Sequence, residues 1–128
     1  MSKKYYLTTP IYYVNSAPHL GTAYSTLVAD SIRRYRTMTG HDALLVTGSD
    51  EHGQNVERAA KKVGVAPIDF AGRVADEFQT QWNKFNIDYR FIRTSSEQHR
   101  HVVQELFRRC IENGYIYKGS YTGQYCFS

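Results

Sequence analysis

Apolar residues fall into two alternating rhythms along this chain. Tyr5 to Thr9 is short, aromatic and β-favouring, and predicts a first strand. Pro10 to Pro18, with a proline at each end and Asn15 and Ser16 between, predicts a loop. Tyr24, Val28, Ile32 and Tyr35 then recur at i, i+4, i+8 and i+11. That spacing makes one face of a helix from about His19 to Met38, which Thr39-Gly40 ends. The unbroken run Ala43-Leu44-Leu45-Val46-Thr47 reads as a buried parallel strand. Gly48-Ser49-Asp50 turns the chain into a helix from about Glu51 to Val63, with Gly64 as its C′ residue.

Pro67 suits a helix N1 position, with Asp69 in the first turn. Phe70, Val74, Phe78 and Trp82 follow every fourth residue as one apolar stripe, read as core packing. Tyr89 to Arg93 is a further strand candidate. In Thr94-Ser95-Ser96-Glu97-Gln98 two capping boxes overlap, Thr94 with Glu97 and Ser95 with Gln98. The helix they introduce carries Val102, Val103, Leu106, Phe107, Cys110 and Ile111 on one face and stops at Asn113-Gly114. From Tyr115 to Ser128 the chain is rich in Tyr and Gly and reads as short strands turning at Gly119 and Gly123. The order β-α-β-α-α-β-α implies an α/β fold, a parallel sheet with helices on both faces. Ligands of such sheets bind at the carboxyl ends of the strands. Two segments fall there, Thr8 to Thr22 and Thr47 to Gly53.

Composition narrows this little. The 41% hydrophobic and 22% charged fractions are those of an ordinary globular chain. A net charge of +4 suits a polyanion such as ATP or RNA, and equally a plain basic surface. Cys110 and Cys126 form no C-x-x-C pair, so neither a disulfide framework nor a zinc site is implied; Cys110 reads as a buried thiol. His99 and His101, two apart, would point to different helix faces, and no metal-ligand spacing is present. No run approaches a membrane span and the N-terminus lacks the apolar run of a signal peptide, so a cytoplasmic location is the expectation.

The two strand-end segments carry the chemistry. Pro18-His19-Leu20-Gly21 places a histidine and a glycine at a helix N-terminus, where free N–H groups and the positive dipole end attract an anion. His19 is a donor for a phosphate oxygen, and Gly21 lets a flat purine or ribose approach the backbone. A structural histidine capping the helix is the other reading. In Thr47-Gly48-Ser49-Asp50-Glu51-His52-Gly53, Asp50 is either the partner of a ligand ammonium or an N-cap, with Glu51 in the first helical turn. His52 reads first as a structural hydrogen-bonding group. An anion site beside a cation-binding carboxylate suits amino-acid activation, in which a carboxylate attacks the α-phosphate of ATP.

Thr9-Pro10-Ile11-Tyr12-Tyr13-Val14-Asn15 followed by Pro18-His19-Leu20-Gly21 closely resembles the opening of the methionyl-tRNA synthetases, class I aminoacyl-tRNA synthetases. Thr47 to Gly53 resembles their second block. The likeness continues through Trp82 to Ile87, Glu112 to Tyr117 and Tyr121 to Cys126. It implies a Rossmann-type catalytic domain over residues 1–114, with 115–128 beginning the connective-peptide insertion. It implies a ligase that forms methionyl-adenylate from L-methionine and ATP and passes methionine to tRNA(Met); Mg2+ is expected with ATP on chemical grounds, with no residue here a clear ligand for it. By matching position, Pro10, Ile11, Tyr13 and Asp50 would bind methionine. His19, Gly21 and Thr22 would bind ATP and act in catalysis, and Asn15 and His52 would support them.

Two departures go with the resemblance. The fourth position of the family's HIGH motif is usually His and here is Thr22, a shorter, uncharged hydroxyl expected to cap the helix or act through water. The chain also stops in mid-pattern, which reads as a truncation. The family's KMSKS loop, second nucleotide-fold half and anticodon-binding domain would lie beyond Ser128. Cys126 lies near where the family's zinc knuckle would start, and a single Cys does not establish one. The fragment alone is expected to be inactive. The alternatives are another HIGH-motif adenylyl transferase or synthetase, and a nucleotide- or RNA-binding module without turnover.

Overall fold

A computed structural model describes residues 3–124; Tyr125 to Ser128, with Cys126, lie outside the described residues. The elements are β1 (Lys3–Tyr13), α1 (Leu20–Met38), β2 (His41–Asp50), α2 (Gln54–Lys62), α3 (Pro67–Lys84), β3 (Arg90–Arg93) and α4 (Glu97–Glu112). The three strands form one parallel sheet in the order β1-β2-β3. This is the parallel α/β arrangement that the alternating rhythms predict, Rossmann-like as the family resemblance implies.

Two strands run further than their sequence suggests. β1 continues past Thr9 to Tyr13, through the segment read as loop. Its register with β2 breaks between Thr8↔Val46 and Ile11↔Gly48, where β1 advances one residue more than its neighbour. That bulge holds Pro10, whose missing N–H would otherwise cost a ladder bond. At the bulge Thr9 donates to the Pro10 carbonyl at 2.8 Å, so its single proton is used and Thr47 donates to Thr9 at 2.7 Å. β2 likewise runs to Asp50, through the residues read as a turn. Gly48 is there for closeness: a Cβ on it would lie 2.3 Å from the Ile92 carbonyl of β3. The following helix starts only at Gln54, with Gly53 as its N-cap, and ends in Val63-Gly64 as predicted.

One core lies on one face of the sheet. Leu45 of β2, Tyr12 of β1, Ala29 of α1, Val56 of α2 and Ala71, Val74, Ala75, Phe78 and Trp82 of α3 form it. The Tyr12 and Phe78 rings stack with centroids 5.4 Å apart, and Trp82 tilts against both. The α3 stripe is thus core, as expected. The expectation of two covered faces is corrected. Tyr6, Ile11 and Leu44 alternate onto the other face and are exposed.

The α1 and α4 stripes are corrected too. Tyr24, Val28, Ile32 and Tyr35 face outward, Tyr24 with 70% exposure, and α1 buries Thr26, Ala29, Asp30 and Arg33 instead. No residue of α4 is buried, and Val102, Val103, Leu106, Phe107 and Ile111 are exposed; Cys110 is half-buried. Residues 115–124 contain no strand, against the β-rich tail expected there.

Polar bonds anchor α1 where its apolar stripe does not. Buried Asp30 takes Arg33 at 2.9 Å and Arg34 at 2.6 Å, and Arg33 reaches Asp88, just before β3, at 3.2 Å. Removing one partner of a buried pair strands the other charge and costs about 3–5 kcal/mol, against about 0–1 kcal/mol for an exposed one. Asp30→Ala is expected to lower stability by about 3–5 kcal/mol. Arg34→Ala, at a half-exposed side chain, should cost about 1 kcal/mol or less. Urea unfolding of the two variants checks the ratio; equal losses would contradict the burial argument.

Candidate active site

The register of β1 and β2 assembles the first half of the site. Ile11 pairs with Gly48, Tyr12 with Ser49 and Tyr13 with Asp50. Tyr12 and Ser49 go to the core; Ile11, Tyr13 and Asp50 alternate to the open face. Pro10 stands exposed in the bulge beside them. Asp50 is half-buried, and no hydrogen bond or ion pair occupies its carboxylate among the described residues. The N-cap reading of Asp50 falls, because α2 begins four residues later behind Gly53. What remains is a strand-end carboxylate with its acceptors free.

Glu51 is the opposite case. Its side chain has 0% exposure. It accepts from Ser49 Oγ at 2.6 Å, from Arg93 Nε at 2.7 Å and Nη2 at 3.1 Å, and from Ser95 Oγ. Its backbone N–H donates to Thr94 Oγ1 at 2.9 Å. These bonds explain why the capping boxes expected at Thr94 and Ser95 do not form: both hydroxyls are spent on Glu51, and Ser96 caps α4 instead. His52 sits on the exposed side of this knot, its Nε2 3.4 Å from the Thr94 carbonyl oxygen.

Burial alone would push the Glu51 carboxyl up. The bonds from Arg93, Ser49 and Ser95 and the Arg93 charge outweigh it and hold the group below its ordinary value of 4.5. A carboxyl depressed in the folded state adds stability that is complete above its unfolded value and is lost as the pH falls through the folded one. The unsubstituted protein should therefore lose stability as the pH drops below about 4.5, and Glu51→Gln should lose less over that interval while being less stable at pH 7. Glu105, lowered by Arg108 and Arg109, contributes equally to both proteins. Urea midpoints at pH 7 and pH 3 test this; parallel losses would contradict it.

The second half of the site is the start of α1. His19 is its N-cap: Nδ1 accepts from the Gly21 N–H at 3.1 Å, and the His19 carbonyl takes the Ala23 N–H. A neutral ring so bonded carries its proton on Nε2, which is left for a ligand. Gly21 makes room for that ring, since a Cβ there would come within 3.1 Å of it. Thr22 closes a capping box: its hydroxyl accepts from the His19 N–H at 3.1 Å and donates to the His19 carbonyl at 2.7 Å. Of the two expected roles for Thr22, the structure places it in the cap. The first turns of α2, α3 and α4 contain Glu57, Asp69 and Glu97, whereas that of α1 contains no acid. Its positive end is left uncompensated. A cleft of about 410 Å3 opens beside His19, backed by Trp82 and Phe85.

A chain of hydroxyls joins this turn to the sheet. Thr26 donates to the Thr22 carbonyl at 3.0 Å, so Tyr12 donates to Thr26 at 2.9 Å. The structure thus groups Ile11, Tyr13 and Asp50 by register, and His19, Gly21 and Thr22 by the cap. Among the described residues no hydrogen bond links the two groups directly, and Asn15 is exposed between them. Sequence reasoning missed the knot of Arg93, Thr94 and Ser95 around Glu51. Its one trace in the sequence is an arginine and an acid at the ends of neighbouring parallel strands. Thr22→Ala should cost about 0.5–2 kcal/mol through the lost cap, measured by thermal unfolding; Thr22→Ser should restore most of it.

Residues 5–128 match the family model described as tRNA synthetases class I (M). The methionine–tRNA ligase of Thermotoga maritima is 50% identical over 125 residues, 96% of this chain and 20% of that protein. That of Helicobacter pylori is 46% identical over 127 residues, 98% of this chain and 20% of its own length. Mycobacterium tuberculosis methionyl-tRNA synthetase in complex with methionyl-adenylate superposes with a TM-score of 0.85 at 42% identity, over 88% of this chain and 22% of that one. A ternary complex of Agrobacterium radiobacter LeuRS with tRNA and LeuAMS gives 0.84 at 25% identity, over 91% of this chain and 15% of that one. The chain spans about a fifth of the length of the curated relatives it matches. The match covers both strand-end segments and the helices between and after them, and the chain belongs to the class I tRNA synthetases of the methionyl type.

Proposed function

We propose that this chain supplies the amino-acid and ATP-binding part of a methionine–tRNA ligase. The observation that carries this reading is the contrast at the end of β2. Glu51 is wholly spent inside the protein, and Asp50 beside it keeps its carboxylate free, facing the same side as Tyr13. Asp50 would pair with the ammonium of methionine, with Pro10, Ile11 and Tyr13 lining the place of the side chain. A phosphate of ATP would lie at the acid-free first turn of α1, receiving a hydrogen bond from His19 Nε2. Thr22 holds that histidine by the backbone rather than touching the phosphate. Asn15 and His52 would support the residues that bind.

In the reaction a methionine carboxylate oxygen bonds to the α-phosphorus as the bond to the pyrophosphate oxygen breaks, giving methionyl-adenylate and pyrophosphate. The residues position the two reactants and donate to the charge growing on phosphate. Transfer of methionine to tRNA(Met) would complete the activity, in the cytoplasm, with residues 1–114 as the catalytic domain and 115–128 as the start of an insertion. No three His, Cys, Asp or Glu side chains converge among the described residues. Mg2+ would come with ATP on phosphate oxygens. No described helix is long and apolar enough to cross a membrane.

The likeness to a LeuRS at a TM-score of 0.84 favours one second reading, activation of a different amino acid on the same half-fold. ATP–pyrophosphate exchange by the complete protein separates them. Methionine should support exchange and leucine, valine and cysteine should not; the reverse pattern refutes the methionine reading. Asp50→Ala should raise the KM for methionine about 10- to 100-fold and leave that for ATP within about twofold, the loss of a charged hydrogen bond. His19→Ala should lower kcat by about 10²–10³ with little change in the KM for methionine.

A further inference from the structure

Both neighbours of Asp50 are clamped to the next strand end. On one side the Ser49 hydroxyl is bound to Glu51, and the Ser49 carbonyl takes the Thr94 N–H at 3.3 Å. On the other the Glu51 N–H is bound to Thr94, and its carboxylate to Arg93 and Ser95. A carboxylate at a strand end otherwise moves with its backbone. Here the flanking peptides are fixed, and only the side-chain torsions of Asp50 remain.

Charge adds a second consequence. The segment holds two adjacent carboxylates, and a cation arriving there has two anions to choose from. Arg93 neutralises Glu51 inside the protein and leaves Asp50 as the uncompensated one. We infer that Glu51 and Arg93 are a positioning pair, which fixes the Asp50 carboxylate and withdraws Glu51 from competing for the substrate ammonium. This rests on the proposed role of Asp50 and extends it to residues that would touch no substrate.

The test is ATP–pyrophosphate exchange by the complete protein, with methionine and ATP varied in turn. The proteins compared are the unsubstituted one, Glu51→Gln, Asp50→Ala and the double variant. Glu51→Gln is expected to raise the KM for methionine about tenfold, with kcat and the KM for ATP within about threefold. On the Asp50→Ala background the same change should add nothing, because the group it positions is gone. An equal rise in both KM values, or a full Glu51→Gln effect without Asp50, overturns the inference and leaves a structural brace. Should Glu51→Gln fail to fold, Ser95→Ala removes one of the carboxylate's bonds. It should raise the methionine KM about threefold and leave that for ATP unchanged, and an unmoved methionine KM overturns the inference. If Asp50→Ala itself leaves methionine use intact, the reading of Asp50 fails and this inference with it. A normal Asp50→Ala effect beside a silent Glu51→Gln sinks the inference alone.

Discussion

A carboxylate sealed from water sets the terms for the carboxyl end of this sheet. Glu51 has no solvent to satisfy it, and an ion taken out of water must be paired and hydrogen-bonded on every side. Arg93, Ser49 and Ser95 meet that demand, and Thr94 holds the backbone beside it. β3 is only four residues long, and this knot closes its end. The same bonds divert the Thr94 and Ser95 hydroxyls, so α4 begins behind Ser96. The free acid of the pair, Asp50, is left where the sheet opens.

The core is one-sided, and α1 shows what that means for a helix. Its apolar stripe looks outward, while Asp30, Arg33 and Thr26 face the sheet. It is held by polar contacts at two heights, the Tyr12-Thr26-Thr22 hydroxyl chain near its start and the Asp30-Arg33-Asp88 pairing further on. The first of these runs from the core directly into the turn that presents His19. The position of that turn thus depends on a core tyrosine, itself stacked on Phe78.

Most of the element order was legible because it rests on local periodicity. The α3 stripe of Val74, Phe78 and Trp82 at every fourth residue could only be a buried helix face, and it is one. Strand ends were harder. Pro10 looked like a breaker, and only pairing with β2 shows that a bulge accommodates it. Gly48 looked like a turn residue, and only the approach of Ile92 shows that it marks close packing. Thr94 and Ser95 had ideal capping spacing, yet Glu51, more than forty residues earlier, outcompeted the helix for both hydroxyls, its backbone N–H donating to Thr94 and its carboxylate accepting from Ser95.

Sequence alone determined the α/β order, the strand-end position of both candidate segments, and the residue types available for an anion and an ammonium. Those follow from short-range spacing, which a linear chain displays directly. Tertiary structure decided which of two adjacent carboxylates is free and which is spent, and which face of α1 is buried. Each of these depends on partners brought together by strand register and burial, and a hydrogen-bonding group takes whichever partner folding places within about 3 Å.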